Sequence, residues 1–248
     1  MNRLAQGVVM LLFGGAVLRA SLTDMYLRYV KDTLQPFLIV ASGLLIVAGG
    51  MTLWYELRRD RREPPPDDGH GHGHREPRVA WLLVAPVLGL LLVSPPALGS
   101  YSAGTTGTAL SIDQRPADFP PLPEVSLVEL PVLDYASRAV WDEGRSLADR
   151  RIQLTGFLTS DRRGGADEGE QEQFLARLVL SCCAADARPI KVGMVGAEAP
   201  VGLADDTWVA VIGTYVEQTT VDPINEATIP YIEVETWEVV PPPDRPYE

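Results

Sequence analysis

The sequence predicts a membrane α-helical N-terminal part of about three spans, followed by a small, mainly β, OB-like barrel domain with one helix. Three observations support this prediction. Long apolar stretches are confined to residues 1–98. Short alternating segments bounded by Gly, Pro and Asp recur through residues 124–248. The charge divides in the same way, because residues 99–248 carry 11 basic and 25 acidic side chains, a net charge of −14 in a chain of −12 overall.

The membrane spans are predicted at residues 4–23, 33–55 and 79–98. The second is the clearest, because its 23 residues carry no charge. At about 1.5 Å per residue, this length crosses a hydrocarbon core of roughly 30 Å. The first span contains Arg19 near one end, where the side chain can snorkel to the interface. A cleaved signal peptide is the alternative interpretation of this first apolar run.

Orientation follows from the basic residues of the loops. Residues 56–78 carry six arginines, whereas the loop between the first two spans carries only Arg28 and Lys31. Because cytoplasmic loops hold the excess of Lys and Arg, residues 56–78 are predicted to be cytoplasmic. The N-terminus is then cytoplasmic, and a linker at residues 99–123 leads to an extracytoplasmic domain at residues 124–248. The sequence therefore predicts a multi-pass protein of the cell membrane that contacts the lipid bilayer.

The predicted cytoplasmic loop contains all three histidines, His70, His72 and His74, interleaved with glycines. Neutral imidazoles at alternate positions can converge on one Zn²⁺, Ni²⁺ or Cu²⁺ ion. The surrounding prolines and glycines favour an exposed linker, and ordering such a loop on binding costs affinity. Two interpretations stay open: a metal site, and a low-complexity linker whose metal affinity is incidental.

The C-terminal domain combines one helical pattern with several strand patterns. Ser126 and Glu129 match a capping box that would start a helical segment, and apolar residues recur at helical spacing from Leu133 to Glu143. Gly156 and Gly213 each interrupt a strand pattern, as the bends and bulges of a small barrel require. Strands are predicted at residues 151–158, 174–182, 190–195, 207–215 and 228–239.

The only cysteines, Cys182 and Cys183, are adjacent at the end of a predicted strand. Successive strand residues face opposite sides, so one cysteine is expected in the core and the other outside. Three interpretations stay open: two small buried residues, a vicinal disulfide, or thiolate ligands for a soft metal or a redox reaction, with Asp186 close by. Two sulfurs and one carboxylate are too few for a closed structural zinc site, so a further ligand would be needed.

Residues and motifs that the sequence lacks exclude several classes of function. The C-terminal domain has no histidine, so neither a Ser-His-Asp nor a Cys-His arrangement can form within it. The chain has no glycine-rich nucleotide-binding motif. We find no catalytic constellation and do not expect an enzyme. The acidic domain repels phosphate backbones, so nucleic-acid binding is not expected either.

Several motifs together resemble the YcgQ-type family of two-component permease subunits. They are three N-terminal hydrophobic segments, Gly156-Phe157, the Cys-Cys-Ala-Ala-Asp-Ala run within residues 177–187, Thr207-Trp208-Val209 and the segment Pro243-Asp244-Arg245-Pro246-Tyr247. The resemblance implies an accessory partner of a larger, multi-span permease. It marks Cys182, Cys183 and Asp186 as motif positions without saying what they bind. The histidine-rich loop is not part of this family pattern.

The function expected from these observations is an accessory subunit of a membrane permease, whose outer domain captures or gates a substrate such as a metal ion. Three spans with so few polar side chains cannot line a pathway alone, so a multi-span partner is expected. Small residues would allow close helix approach, namely Gly14, Gly15, Ala16, Ala20, Gly43, Gly49 and Gly50. The alternatives are an extracellular, membrane-anchored thiol-redox protein and a structural cell-envelope module.

Overall fold

The computed structural model of the chain describes residues 3–59, 96–110, 118–160 and 172–248. The chain divides into two compact units. The first contains two long helices. The second contains residues Ala97–Glu248 together with Leu27–Lys31, a short segment from between the two helices. The predicted span at residues 79–98 and the histidine loop lie outside the described residues, apart from residues 96–98.

The first unit contains helices α1 (Arg3–Leu22) and α2 (Gln35–Arg59). Both are long and apolar enough to cross a membrane. They cover most of the predicted spans 4–23 and 33–55, and α2 begins two residues later than its predicted span. Large apolar side chains on the two helices are exposed, including Phe37, Leu44, Met51 and Trp54. A lipid environment would cover such a surface.

Glycines bring α1 and α2 close together. A Cβ on Gly49 would lie 2.9 Å from the Gly7 carbonyl oxygen, and one on Gly14 would lie 2.9 Å from Cγ1 of Ile46. Any residue larger than glycine at these positions would therefore force the neighbouring helix to shift. Gly14 and Gly49 lie in this contact as their sequence pattern suggested. At the other predicted glycines an added Cβ would have no neighbouring atom within 4 Å: Gly15, Gly43 and Gly50.

The serine and threonine hydroxyl groups within these helices donate to backbone carbonyls. Ser21, Ser42 and Thr52 each donate to a backbone carbonyl about one turn earlier, at 2.7, 2.8 and 2.8 Å. Hydrogen-bonding inside the segment is what a helix in lipid requires, because no water is available there. These three hydroxyl groups therefore have their hydrogen bonds within their own helix.

The second unit is built around a closed five-stranded barrel. Its elements are α3 (Ser100–Thr105), β1 (Val128–Glu129), α4 (Val132–Trp141), β2 (Ile152–Ser160), β3 (Gln173–Val179), β4 (Arg188–Val195), β5 (Trp208–Val221) and β6 (Thr228–Val239). The strand order is β2-β3-β4-β6-β5, and β5 pairs again with β2 to close the barrel. Among the strands that the structure describes, β4 with β6 and the short β1 with β2 pair in parallel, and the other pairs are antiparallel. A small, mainly β barrel is confirmed, and its architecture is compatible with the OB-like prediction.

Strand β5 is longer than predicted. It continues to Val221 rather than ending at Tyr215. Register shifts occur between Ile212 and Gly213 and again between Val216 and Thr219. Each shift interrupts the two-residue alternation on which the prediction relied, although pairing with β6 continues. The bulge at Gly213 is as the sequence predicted.

The helix start predicted at Ser126 is wrong. Val128 and Glu129 form β1 and pair with the first residues of β2. The helix α4 begins at Val132 instead, and the Glu248 carboxylate accepts the backbone N–H groups of Val132 and Leu133, both at 3.0 Å. A helix start needs acceptors for its free N–H groups, but here the acceptor is more than a hundred residues away along the chain.

Two apolar clusters hold the second unit together. The larger fills the barrel and includes Tyr135 of α4, whose hydroxyl donates to the Tyr231 carbonyl at 2.6 Å. Burial raises the pKa of Tyr135 well above its ordinary value. The smaller cluster joins Ala103 of α3 to Phe157 and Leu178 of the barrel. The sheet therefore packs on α4 through one cluster and on α3 through the other.

Candidate functional site

The two cysteines lie in a turn after β3 rather than on the strand. β3 ends at Val179, and a short 3-10 helix, Ala184–Asp186, follows the cysteines. Cys182 is exposed and Cys183 is half-buried. The prediction that one cysteine enters the core is therefore wrong, because strand alternation does not apply once the chain has turned.

Asp186 closes this turn, which we call the cysteine turn (residues 181–186). One carboxylate oxygen accepts the Ser181 N–H at 2.8 Å. The other accepts the N–H groups of Cys182 at 2.8 Å and Cys183 at 3.2 Å. The Asp186 N–H in turn donates to the Cys183 carbonyl at 2.9 Å. Asp186 thus positions both cysteines through their backbone N–H groups.

The segment Leu27–Lys31 holds the cysteine turn from the other side. The Ala184 N–H donates to the Tyr29 carbonyl at 2.7 Å, and the Lys31 N–H donates to the Cys182 carbonyl at 3.1 Å. Both partners come from the connection between α1 and α2, some 150 residues earlier in the sequence. No local sequence pattern predicts this contact, since backbone groups form it.

Tyr247 ties the same segment to the barrel. Its hydroxyl accepts the Leu98 N–H at 2.8 Å and donates to the Arg28 carbonyl at 3.0 Å. Next to it, the Glu248 N–H donates to the Leu178 carbonyl of β3 at 2.9 Å. Tyr247 belongs to the Pro-Asp-Arg-Pro-Tyr segment that carried part of the family resemblance, but its structural role could not be read from the sequence.

The three residues predicted as ligands lie together. The sulfur atoms of Cys182 and Cys183 are 3.6 Å apart, and a ligand atom from each of Cys182, Cys183 and Asp186 lies within 4.8 Å of the other two. Tetrahedral coordination with zinc–sulfur bonds of about 2.3 Å separates two sulfurs by about 3.8 Å. The thiol pair therefore has nearly the spacing of a chelating dithiolate, whereas Asp186 would have to approach further.

Electrostatics keep the metal-free Cys182 thiol protonated. A hydrogen bond from the Cys182 thiol, together with those from the three backbone N–H groups, lowers the pKa of Asp186 to about 2. The same hydrogen bond to Asp186, and a second one to Cys183, raise the pKa of Cys182 to about 12. A metal ion must therefore displace a proton from Cys182, and such sites bind metal more tightly as the pH rises.

The Asp186→Asn variant should make Cys182 more reactive at neutral pH. Asn keeps an oxygen acceptor for the turn but removes the negative charge and the carboxylate acceptor that raise the Cys182 pKa. The thiolate is the nucleophile, so the alkylation rate rises with the fraction of Cys182 that is deprotonated. A Cys182 pKa closer to the ordinary value of about 8.5 should therefore accelerate alkylation at pH 8 by about tenfold or more. Iodoacetamide labelling between pH 7 and 11, in a Cys183→Ser background, measures this rate. An unchanged rate in a normally folded variant would contradict the assigned role of Asp186.

The other predicted ligands, His70, His72 and His74, lie outside the described residues. Their metal binding stays a prediction. The described residues contain one cluster of three potential ligand side chains with the spacing required for a metal ion, and it is the cysteine turn.

An open cleft that no sequence pattern predicts lies beside the cysteine turn. Its volume is about 830 Å³. Residues from α4, β3, β4 and the segment Leu27–Lys31 contribute to its lining, including Lys31, Leu133, Trp141, Val179, Asp186 and Arg188. Because these residues are distant in the sequence, only the folded chain reveals the cleft.

Comparison with known families identifies this part of the chain. A DUF1980 C-terminal domain is found at residues 138–248. The DUF1980 C-terminal domain contains strands β2 to β6, the cysteine turn and Tyr247. The match is consistent with the YcgQ-type resemblance of the sequence. No curated protein and no solved structure matches the chain.

Proposed function

We propose that the chain is an accessory subunit of a membrane permease, and that its DUF1980 C-terminal domain captures a thiophilic metal ion at Cys182 and Cys183. The observation that carries this proposal is the pair of sulfurs 3.6 Å apart on an accessible turn. Thiolates favour Zn²⁺ and Cu⁺, whereas imidazoles, such as those of the histidine loop, also suit Ni²⁺.

The composition of the site suits capture and release better than permanent storage. Two thiolates and the Asp186 carboxylate leave one tetrahedral position open, whereas structural zinc sites use four protein ligands. Cys182 is exposed, so a donor or acceptor molecule can reach the metal. The displaced thiol proton weakens binding at low pH, which gives a means of release.

The two described helices support the proposal that the chain binds a multi-span membrane protein. The serine and threonine hydroxyl groups in the described helices bond to their own helix backbone, and we expect a transport pathway to come from another protein. On α2, Gly43 and Gly50 lie seven residues apart with open space beside them, and small residues let a partner helix approach closely. Co-purification of a multi-span protein with the full-length chain in mild detergent tests this part of the proposal, and a Gly43→Leu/Gly50→Leu variant should lose that protein.

The extracytoplasmic location of the domain is also part of the proposal. The loop at residues 56–78 carries six arginines, which favours a cytoplasmic position for that loop. Residues 27–31, at the opposite end of α2, belong to the same unit as the barrel. This supports a barrel on the side of the membrane away from the arginine-rich loop.

Metal capture is tested by the stoichiometry of Zn²⁺ bound to the full-length chain. The histidines at 70, 72 and 74 are first replaced by Ala, so that the loop cannot contribute. We expect about one ion per chain, and at least a tenfold weaker affinity in both Cys182→Ser and Cys183→Ser, since each removes a thiolate ligand. Mass spectrometry of dialysed samples measures the bound metal.

Ser181→Ala is the matched control, because Ser181 is the exposed neighbour of the cysteine pair and offers no thiolate. It should bind zinc like the parent. Equal zinc binding by the parent and both cysteine variants would refute metal capture. A reducible disulfide without metal would instead favour the thiol-redox alternative, and normal folding with neither would favour the structural module.

A further inference from the structure

The open cleft beside the cysteine turn is lined by two basic and three acidic side chains. Lys31 and Arg188 both line the cleft, and both side chains are exposed. Neither has an ion-pair partner among the residues that the structure describes. Arg188 belongs to the strongly acidic residues 99–248, and Lys31 belongs to the segment Leu27–Lys31 of the same unit, so two cations without ion-pair partners at one cleft need an explanation.

The carboxylates that line the same cleft already have partners. Asp134 forms an ion pair with Arg138 at 3.0 Å. Glu248 forms an ion pair with Arg177 at 3.4 Å. Asp186 holds the cysteine turn through three backbone N–H groups and keeps its negative charge. Among the described residues, Lys31 and Arg188 therefore exceed the one lining carboxylate without an ion-pair partner by one charge, and this excess is available to an anionic ligand.

Six of the thirteen residues that line the cleft are apolar. Leu133 and Trp141 of α4 contribute to this lining, together with Val179 at the end of β3 and the following Leu180. The cleft volume of about 830 Å³ lies in the range of small-molecule sites. A pocket that combines apolar walls with charged groups suits an amphipathic ligand.

We propose that this cleft binds an organic anion with an apolar body, whose carboxylate or phosphate group lies at Lys31 and Arg188. The apolar body packs against Trp141 and Leu133. The cleft shares Asp186 with the proposed metal site, but neither cysteine lines it. The same ligand chemistry occurs in soluble carboxylates and in anionic lipids, and the experiment distinguishes these two sources.

The test uses carboxyfluorescein, an aromatic carboxylate, and the full-length chain in phosphatidylcholine nanodiscs with a metal chelator present. Fluorescence anisotropy should show saturable binding. Lys31→Gln and Arg188→Gln should each weaken it roughly three- to tenfold, the range for one partly exposed charged contact. The chelator makes the outcome independent of the metal proposal.

Arg145→Gln is the matched control, because Arg145 is an exposed arginine outside the cleft. It should bind the dye like the parent. If phosphatidylglycerol in the nanodiscs competes with the dye, the anion is a lipid headgroup; without competition it is a soluble compound. Absence of saturable binding, or equal binding by the parent and both cleft variants, would overturn the proposal.

Discussion

Replacing Lys191 by Met should lower the free energy of unfolding of the barrel unit by about 3–5 kcal/mol. The Lys191 ammonium lies 2.9 Å from the Asp222 carboxylate, and the two side chains are 2% and 0% exposed. The variant leaves the Asp222 charge buried without its counter-ion. Thermal unfolding of the full-length chain in nanodiscs, followed by tryptophan fluorescence, should show a fall in Tm on the order of 10 °C.

The contacts around this ion pair explain why it matters to the fold. Asp222 also accepts the Thr108 N–H at 2.9 Å, and the Thr108 hydroxyl accepts the Lys191 N–H at 3.2 Å. The pair therefore fastens the segment that contains Thr108 to strand β4 and to the end of β5. Loss of the ammonium weakens this attachment as well as the charge balance.

Two further variants test whether the instability of Lys191→Met comes from an unpaired buried charge. Lys191→Met/Asp222→Leu removes both charges and should be less destabilised than Lys191→Met alone, because no unpaired charge stays buried. Arg151→Met breaks the Arg151–Glu235 pair, whose side chains are 51% and 38% exposed, and should cost less than about 1 kcal/mol. A Lys191→Met variant as stable as Arg151→Met would show that the buried pair does not stabilise the barrel.

Gly213→Ala should destabilise the barrel by about 3 kcal/mol through a steric clash. A Cβ at Gly213 would lie 2.1 Å from the Glu233 carbonyl oxygen and 2.9 Å from its carbon, so the backbone of β6 would have to move. The position is at the bulge between β5 and β6, where no flexible side chain can absorb the shift. The fall in Tm, again by tryptophan fluorescence, should approach that of Lys191→Met.

Gly202→Ala is the comparator for this prediction. Gly202 has a positive φ of +72° but open space around its Cβ position. It should cost about 1 kcal/mol from backbone strain alone. If Gly213→Ala were no more harmful than Gly202→Ala, close packing at the bulge could not be the reason for glycine there.

The sequence was sufficient for features that depend on local pattern. The apolar lengths of α1 and α2, the barrel strands and the bulge at Gly213 all follow from periodicity and from glycine placement. The grouping of Cys182, Cys183 and Asp186 was also predictable, because the three residues lie within five positions of one another. The precise end of β3 was not, since the turn depends on how Asp186 uses its oxygens.

Features that depend on distant partners could not be predicted. The start of α4 is determined by Glu248, and the cysteine turn is held by backbone groups of residues 27–31. Neither contact has a local signature, because backbone groups are the same at every position. The cleft likewise exists only where α4, the barrel and residues 27–31 meet.

X-ray absorption at the zinc edge tests metal capture by the thiol pair most directly. The full-length chain, with Ala at positions 70, 72 and 74, is loaded with less than one equivalent of Zn²⁺. We expect two sulfur neighbours at about 2.3 Å, the usual zinc–thiolate distance, and fewer sulfurs in Cys182→Ser. A spectrum with only oxygen or nitrogen neighbours at about 2.0–2.2 Å would contradict metal capture by the cysteines.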